Sequence, residues 1–443
     1  MKEKLKINMK RITLKKEIFV TAHYDVVVCG GGPAGIIAAL AAARNGANTA
    51  LVERYGFLGG AATASFVNPI SVFKSNGVQV IEGMPWEFVT RLAEIGGAID
   101  DYENGNVPVD VEKYKLVAQR MLLEAGVTLY LHSYLSDVVM AGDRVSHVIL
   151  ENKDGTAALA TDYVIDCTGD ADICARCGYP FQEMPEEDTL QPASLGFRLG
   201  GVKVEELTGL HPRIPNAKFQ MVSVRRTLEA LEGKERIPNF GGPWFCTVLN
   251  DDAGIVNVNM TRIAANGVKG ESVTKTECQL REDVFTIHSL LRRHVPAFAD
   301  SYLLAVATQA GYRETRRILG EHILTAEEYV SALHFEDSVA RGAHPIDIHH
   351  STDSGQDATF LRGAGYVPYR SMVSRTHPNV IVAGRCISAD RQAFASIRVQ
   401  ATAMALGQAA GTAAALCAKD GRGVTELDTN VLRACLIEQG ANI

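Results

Sequence analysis

Residues 24–53 read YDVVVCGGGPAGIIAALAAARNGANTALVE, and this stretch decides the fold. Tyr24–Cys29 is a short apolar, β-branched run of the kind found in buried parallel strands. It runs directly into Gly30-Gly31-Gly32-Pro33-Ala34-Gly35, from which an Ala-rich helix is expected to about Asn45, stopping at Gly46. Thr49–Glu53 then reads as a second strand, so strand, glycine turn, helix and strand form a βαβ unit of about 30 residues. Gly30, Gly32 and Gly35 satisfy G-x-G-x-x-G. The first permits the tight turn, the second lets backbone approach a pyrophosphate, and the third lets helix and strand pack closely. The helix N-terminus offers free N–H groups and a positive dipole end to phosphates. Glu53, 23 residues beyond Gly30, stands where a carboxylate can accept both ribose hydroxyls of an adenosine.

Working outward, residues 108–127 predict a helix with Asp110 as N-cap and Gly126 as stop. Val127–Leu131 alternates as a strand. Ser136–Met140, Val145–Leu150 and Ala157–Ala160 predict a β-meander turning at Gly142-Asp143 and Lys153-Asp154-Gly155. Tyr163–Asp166 reads as one more buried strand, closing on Cys167-Thr168-Gly169-Asp170. From about 180 to 345 the pattern is less regular and richer in Pro, charge and aromatics, which suggests a substrate-facing lobe. The opening style returns with a strand at Val380–Ala383, a turn at Gly384, and an Ala/Gly-rich helix from about Ser396 to Ala418. The expected fold is therefore α/β: a discontinuous Rossmann-type domain with a meander, at 23–180 and 346–443, around an inserted α+β lobe at 181–345.

Composition narrows the function. Among 443 residues, 47% are hydrophobic and 21% charged, the balance of a globular protein with a large core. A net charge of −7 argues against nucleic acid as a partner. Nine scattered cysteines suit a reduced, cytoplasmic protein better than a disulfide framework. No segment shows the uninterrupted apolar length of a membrane span. Residues 1–22 form a basic extension with seven Lys/Arg and two Glu, read as a solvated tail running into an edge strand near Ile18–Val20.

A second small-residue loop, Leu58-Gly59-Gly60-Ala61-Ala62-Thr63, stands where a bulky ligand needs the backbone to withdraw. With it the chain resembles the FAD-dependent oxidoreductase family related to fumarate reductases and the wider glutathione-reductase-type flavoproteins. The resemblance rests on GGGPAGIIAALAAARNG with LVERYGFLGGAAT, on YVIDCTGDAD, on GYRETRRILGE, and on YVPYRSMV with VIVAGRCISADRQAFASIRVQATAMALGQAAGTAAA. It implies that Gly30, Gly32, Pro33, Ala34, Gly35, Glu53 and Arg54 hold the ADP half of FAD, with Gly59, Gly60, Ala61 and Thr63 beside it. It implies further that Thr168, Gly169 and Asp170 pass near the adenine-ribose side, and that Gly384 and Arg385 lie by the pyrophosphate and ribityl chain. The helix after Ser396 and Ile397 would point its N-terminus at the pyrimidine edge of the flavin, where Arg398 is the candidate cation for the charge of the reduced ring. Relatives that attach FAD covalently use a His near the second glycine loop. No His lies between His23 and His132, so the FAD is expected to be non-covalent.

The implied reaction is hydride transfer between a small organic substrate and flavin N5, which also needs a base or an acid. His349 or His350 is the candidate base, and Arg313 or Arg316 the candidate carboxylate clamp or proton donor. Tyr369 and Arg370 are lesser candidates, and Phe240, Trp244 and Phe245 either line a pocket or fill core. Cys174 and Cys177, a C-x-x-C pair, read as helix packing, and no metal site is expected. Flavin monooxygenases share the first motif but carry a Gly-Asp turn followed by Ala-Ala-His where this chain has AGRCISADR. No second G-x-G-x-x-G serves NAD(P)H, which leaves a quinone, oxygen or another protein as electron acceptor. A non-catalytic FAD-binding subunit is the reading from outside enzymology, and the sequence leaves open whether the chain forms a homo-oligomer.

Overall fold

In the computed structural model, which describes residues 12–101, 104–207, 219–220, 222–247 and 254–443, the βαβ unit forms as its sequence predicts. The first strand spans Phe19–Cys29, the helix Pro33–Arg44 and the second strand Thr49–Val52. Pro33 opens the helix, and Gly46 leaves it at φ +91°, a backbone conformation that costs glycine little. The described sheet runs Thr128–Tyr130, Thr49–Val52, Phe19–Cys29, Gly155–Asp166, Arg144–Asn152, Tyr134–Ala141, with Val380–Val382 also pairing on Gly155–Asp166. The strands from both ends of the chain are parallel and the meander is antiparallel.

The sequence expectation for the last strand of this half needs correction. Tyr163–Asp166 is the end of the third meander strand, a single run from Gly155 to Asp166. One edge of that strand pairs with 147–152 at its start and with Val380–Val382 at its finish. Asn379 fills the step between the two partners, donating to Val145 O and Asp162 O at 2.8 Å and accepting from Val145 N at 3.0 Å. Near Ile18–Val20 the tail runs into a strand as expected: Phe19 and Val20 begin the strand that continues to Cys29, paired here on one edge only, with Ala157 and Ala158, until the second partner strand joins at Val26. Residues 1–11 of the basic extension lie outside the described residues.

A second, antiparallel sheet joins Phe219–Gln220, Phe240–Thr247, Val256–Thr261, Phe197–Gly200 and Tyr302–Val306. The helix Gly270–His294 buries Leu280, Val284, Ile287, Leu290 and Leu291 in the same apolar cluster as the sheet residues Phe197, Leu199, Phe245, Val256 and Val258. That cluster ends at Ala310, while Ile318, Leu324 and Tyr329 pack into the core of the first sheet.

The C-terminal helix also starts later than its sequence suggests. Arg391–Ile397 is a short helix capped by Asp390, Arg398 is its C-cap, and the long helix runs Gln400–Asp420 from N-cap Val399. By length and composition this 21-residue helix is apolar enough to cross a bilayer, contrary to the reading that no segment is, but 83% of that stretch is buried in the protein. It lies against the Pro33–Arg44 helix so closely that a Cβ on Gly407 or Gly411 would stand 2.2 Å from Ala34 O or 2.1 Å from Ala38 O. Alanine for glycine inside a helix ordinarily stabilises by about 1 kcal/mol. Here the sign inverts: Gly411→Ala is expected to destabilise by about 1–3 kcal/mol through overpacking, read from urea denaturation. An unchanged or raised midpoint would refute so close a contact.

Candidate active site

Two helix N-termini open on one cavity. Gly32 and Val399, the N-caps of Pro33–Arg44 and Gln400–Asp420, offer no side-chain acceptor to the free N–H groups, and both line the cavity. Uncapped N–H groups and a positive dipole end suit an anion at each place. The first sits in a glycine cradle. Gly30 holds φ +101°, and a Cβ there would stand 2.5 Å from Cys167 O. Gly35 packs helix on turn, since its Cβ would stand 1.8 Å from Gly30 O. A Cβ on Gly32 would meet nothing nearer than Gly60 Cα at 3.9 Å, so this residue presents open backbone.

Glu53 ends the second strand buried, with Oε2 accepting from Gly31 N at 2.7 Å and Oε1 from Tyr55 N at 3.0 Å. Burial raises its carboxyl pKa against the pull of those N–H groups. The carboxylate ties the glycine turn to the strand end and keeps lone pairs for a ribose. Gly169 and Asp170 line the same cavity with Arg385, which pairs with Asp170 Oδ1 at 2.7 Å and donates to Tyr312 O at 2.5 Å. A glycine cradle at one helix N-terminus, a buried acid placed for a ribose and a second helix N-terminus on one cavity fit FAD as a group.

Of the residues expected at this cofactor, Gly30, Gly32, Pro33, Ala34, Glu53, Arg54, Gly60 and Ala61 line the cavity. So do Thr168, Gly169, Asp170, Gly384 and Arg385. Gly35, Gly59 and Thr63 stand one layer back and shape the loops. Thr63 Oγ1 donates to Leu58 O at 2.8 Å, and Gly59 at φ +117° makes room for that side chain. Ser396 and Ile397 are buried in the short helix away from the cavity, because the long helix begins only at Gln400.

The expected catalytic residues separate. Arg316 turns away from the cavity, paired with Asp172 Oδ1 and donating to Asp170 O, both at 2.6 Å. Glu314 is fully buried between Arg317 at 2.9 Å and Arg391 at 3.2 Å. Arg313 is the member of that run that faces the cavity, donating to Pro192 O at 2.6 Å and Ser194 Oγ at 2.7 Å. Arg398 also lines it and donates to Gln191 Oε1 and Asp347 O, each at 3.2 Å. His350 is bound outside to Asp353 and Asp357, Tyr369 donates to Val424 O, and Arg370 pairs with Asp337. Trp244 lines the cavity, whereas Phe240 and Phe245 are core. The described cysteines are all free, Cys174 is buried, and Cys177 donates to Cys174 O at 3.5 Å.

His349 lines the cavity, yet both ring nitrogens are engaged, so it has no lone pair to act as the base expected from sequence. Nδ1 lies 2.8 Å from Arg262 Nη2 and Nε2 2.9 Å from Asp347 Oδ2. Burial and the charge of Arg313 push its pKa well below the ordinary histidine value, so the ring is neutral. Burial alone would raise the Asp347 carboxyl, but the His349 hydrogen bond and the charge of Arg398 outweigh it and hold it well below the usual carboxylate range. Oδ1 of Asp347 has no hydrogen-bond partner among the described residues. Sequence reasoning passed over Asp347 and Arg262. The first shares its segment with His349, and the second is a lone Arg after an alternating strand, with no motif to mark it.

Charge does not balance in this corner. Arg262, Arg313 and Arg398 surround a single carboxylate, Asp347, which is bonded to His349, and none of the three has an acid within ion-pairing distance among the described residues. Burial, then the charges of Arg398 and Arg262, pushes Arg313 down to about 9, and burial pushes Arg262 down to about 10. Both stay charged at neutral pH, so this corner carries excess positive charge, of which Arg313 faces the cavity directly and Arg262 stands behind it.

A model of the family described as FAD dependent oxidoreductase matches residues 25–436. Among curated proteins, the chain is similar to the thiamine thiazole synthase of Aeropyrum pernix, 26% identical over 200 residues that cover 42% of this chain and 65% of that protein. It is also similar to the thiamine thiazole synthase of Desulfosudis oleivorans, 29% identical over 168 residues, 35% of this chain and 60% of that one. The chain thus spans less than two thirds of the length of either relative. Among solved structures, it is similar to a geranylgeranyl bacteriochlorophyll reductase-like protein from Thermoplasma acidophilum, at 13% identity and a TM-score of 0.48, covering 95% of this chain and 84% of that one.

Proposed function

Because the chain belongs to the FAD dependent oxidoreductase family, we propose that it oxidises or reduces a small carboxylate-bearing organic molecule at the arginine-rich end of its cavity. The observation that carries this reading is the set of guanidiniums without acidic partners, two of which, Arg313 and Arg398, line the cavity. A buried cation without an anion is costly, and a substrate carboxylate would supply the missing partner in a bidentate geometry that suits arginine.

FAD, when bound, exchanges a hydride with a substrate carbon. Gly30, Gly32, Glu53, Gly384 and Arg385 would hold it, with the N-terminus of Gln400–Asp420 and Arg398 favouring the negative charge of its reduced form. Asp347 Oδ1 would take the proton of a hydroxyl or amine on the carbon being oxidised. A carboxylate of depressed pKa is a weak base in the empty site. A substrate anion between Arg313 and Arg398 cancels part of the positive field and raises its basicity. His349 keeps Asp347 in place and takes up no proton itself.

The purified protein is expected to be yellow, to release FAD on acid precipitation, and to bleach anaerobically with one of a panel of small hydroxy- or amino-carboxylates. Neutral alcohols and amines of matched size should not bleach it. Bleaching by the neutral compounds alone, or by NAD(P)H alone, would sink the proposal.

A further inference from the structure

We propose that Arg262, which no cofactor or substrate motif marks, is a positioning residue: it locks His349 in one tautomer, and His349 thereby holds the Asp347 carboxylate. Arg262 directly follows the strand Val256–Thr261 of the second sheet and is 3% exposed. It does not line the cavity. Its Nη1 donates to Gly355 O at 2.7 Å, Asp353 O at 3.2 Å and His350 O at 3.5 Å, gripping the turn between the paired strands Ile346–His349 and Gln356–Thr359. Its Nη2 reaches His349 Nδ1 at 2.8 Å.

A guanidinium has donors and no acceptor. His349 Nδ1 must therefore be the accepting nitrogen, and the ring proton must sit on Nε2. That proton faces Asp347 Oδ2 at 2.9 Å, so the ring donates to the carboxylate and leaves Oδ1 as the open acceptor. The second sheet thus fixes a hydrogen bond made inside the hairpin. Space for the guanidinium comes from Gly241, where a Cβ would stand 1.8 Å from Arg262 Nε and 2.0 Å from Cζ. The charged groups around the ring are Arg262, Asp347, Arg313 and Arg398, with Asp353 and Arg225 beyond Arg262. Removing Arg262 takes away both the Nδ1 donor and a positive charge, while Asp347 stays to stabilise an imidazolium. What the lock serves rests on Asp347 being the proton acceptor of the proposed reaction; the lock itself does not.

The test is 15N NMR of the FAD-loaded protein labelled in histidine, with the His349 signal assigned by its loss in His349→Gln. The wild-type ring is expected to be neutral with its proton on Nε2 throughout the neutral range. In Arg262→Met the imidazolium, which keeps Nε2–H on Asp347, should be populated at neutral pH, and Arg262→Lys, which keeps a donor, should restore the wild-type form in part. A wild-type ring that is protonated or carries its proton on Nδ1 would overturn the lock without any change at Arg262. So would an unchanged ring in Arg262→Met. Acetate is the probe for the cavity, read from the flavin spectrum. Its affinity should change by less than about twofold in Arg262→Met, because this arginine does not touch the carboxylate. A tenfold loss would make Arg262 a substrate ligand and overturn the assignment. If acetate leaves the wild-type flavin spectrum unchanged, the carboxylate reading fails while the ring signals still judge the lock.

Discussion

Gly35→Val is expected to yield a protein that retains less than about a tenth of its FAD. The substitution places side-chain atoms in a gap where even a Cβ would stand 1.8 Å from Gly30 O, 3.0 Å from Gly30 C and 3.2 Å from Cys167 Cβ. Backbone on one side and a strand end on the other leave no flexible neighbour to yield. The helix must lift off the glycine turn, and its N-terminal N–H groups then lose their aim at the pyrophosphate. Gly32→Ala is the informative companion. Its Cβ meets only Gly60 Cα at 3.9 Å, and the residue lies at φ −75°, where alanine is unstrained. That variant should keep its thermal midpoint yet bind FAD more weakly, because the added methyl occupies the side from which the phosphates approach. The readout is flavin absorbance per chain together with the midpoint of the apoprotein. Full FAD occupancy in Gly35→Val would mean that the helix does not need this contact to hold the cofactor.

The contrast between these glycines explains what could be read from sequence. A G-x-G-x-x-G motif encodes local backbone demands, and local demands survive in a single chain without homologues. Gly30 accordingly stands in the turn after the first strand, Pro33 and Gly35 in the helix and Glu53 directly after the second strand, although the first strand starts at Phe19 rather than Tyr24. Reading failed where one partner was distant. Nothing local says that Tyr163–Asp166 continues the strand begun at Gly155, because the partner exchange that bends the pattern depends on Asn379, over 200 positions away. The start of the long C-terminal helix was misplaced for a different reason: Arg391–Ile397 is helical too, and only the break at Arg398–Val399 separates the two. The same logic governs the catalytic corner. Arg316 and His349 stand in the segments that resemble the family, but a segment does not say which of its side chains turns inward. Alternation along Ile346–His349 puts Asp347 and His349 on one face, and the ring is then occupied from the second sheet by Arg262. That neighbour lies 87 positions away in sequence.

Arg398→Met should lower kcat/KM for the carboxylate substrate found in the panel by about 10²–10³-fold, the loss expected when one partner of a buried charge pair is truncated at about 3–4 kcal/mol. Arg398 is asked to do two things, to face the substrate anion and to favour the reduced cofactor, so kcat should fall and KM should rise together. Methionine keeps most of the apolar stem, and the fold should survive, because the donors lost go only to Gln191 Oε1 and Asp347 O. The pH dependence gives the argument a second edge. An arginine ordinarily remains charged at every accessible pH, but burial and two neighbouring guanidiniums bring Arg313 down to about 9. The charged form binds the anion, so carboxylate affinity should be full below that value and decline as pH rises through it. Substrate binding itself opposes the decline, since an anion beside Arg313 restores its affinity for the proton, and the apparent midpoint should move upward as substrate concentration increases. Acetate affinity measured from the flavin spectrum should show that alkaline decline in the wild type, and Arg313→Met should be weak at all pH values with no decline left to see. A flat wild-type profile, or an Arg398→Met enzyme within about threefold of wild type, would remove the arginine corner from substrate binding and return the excess charge to the protein's own structure.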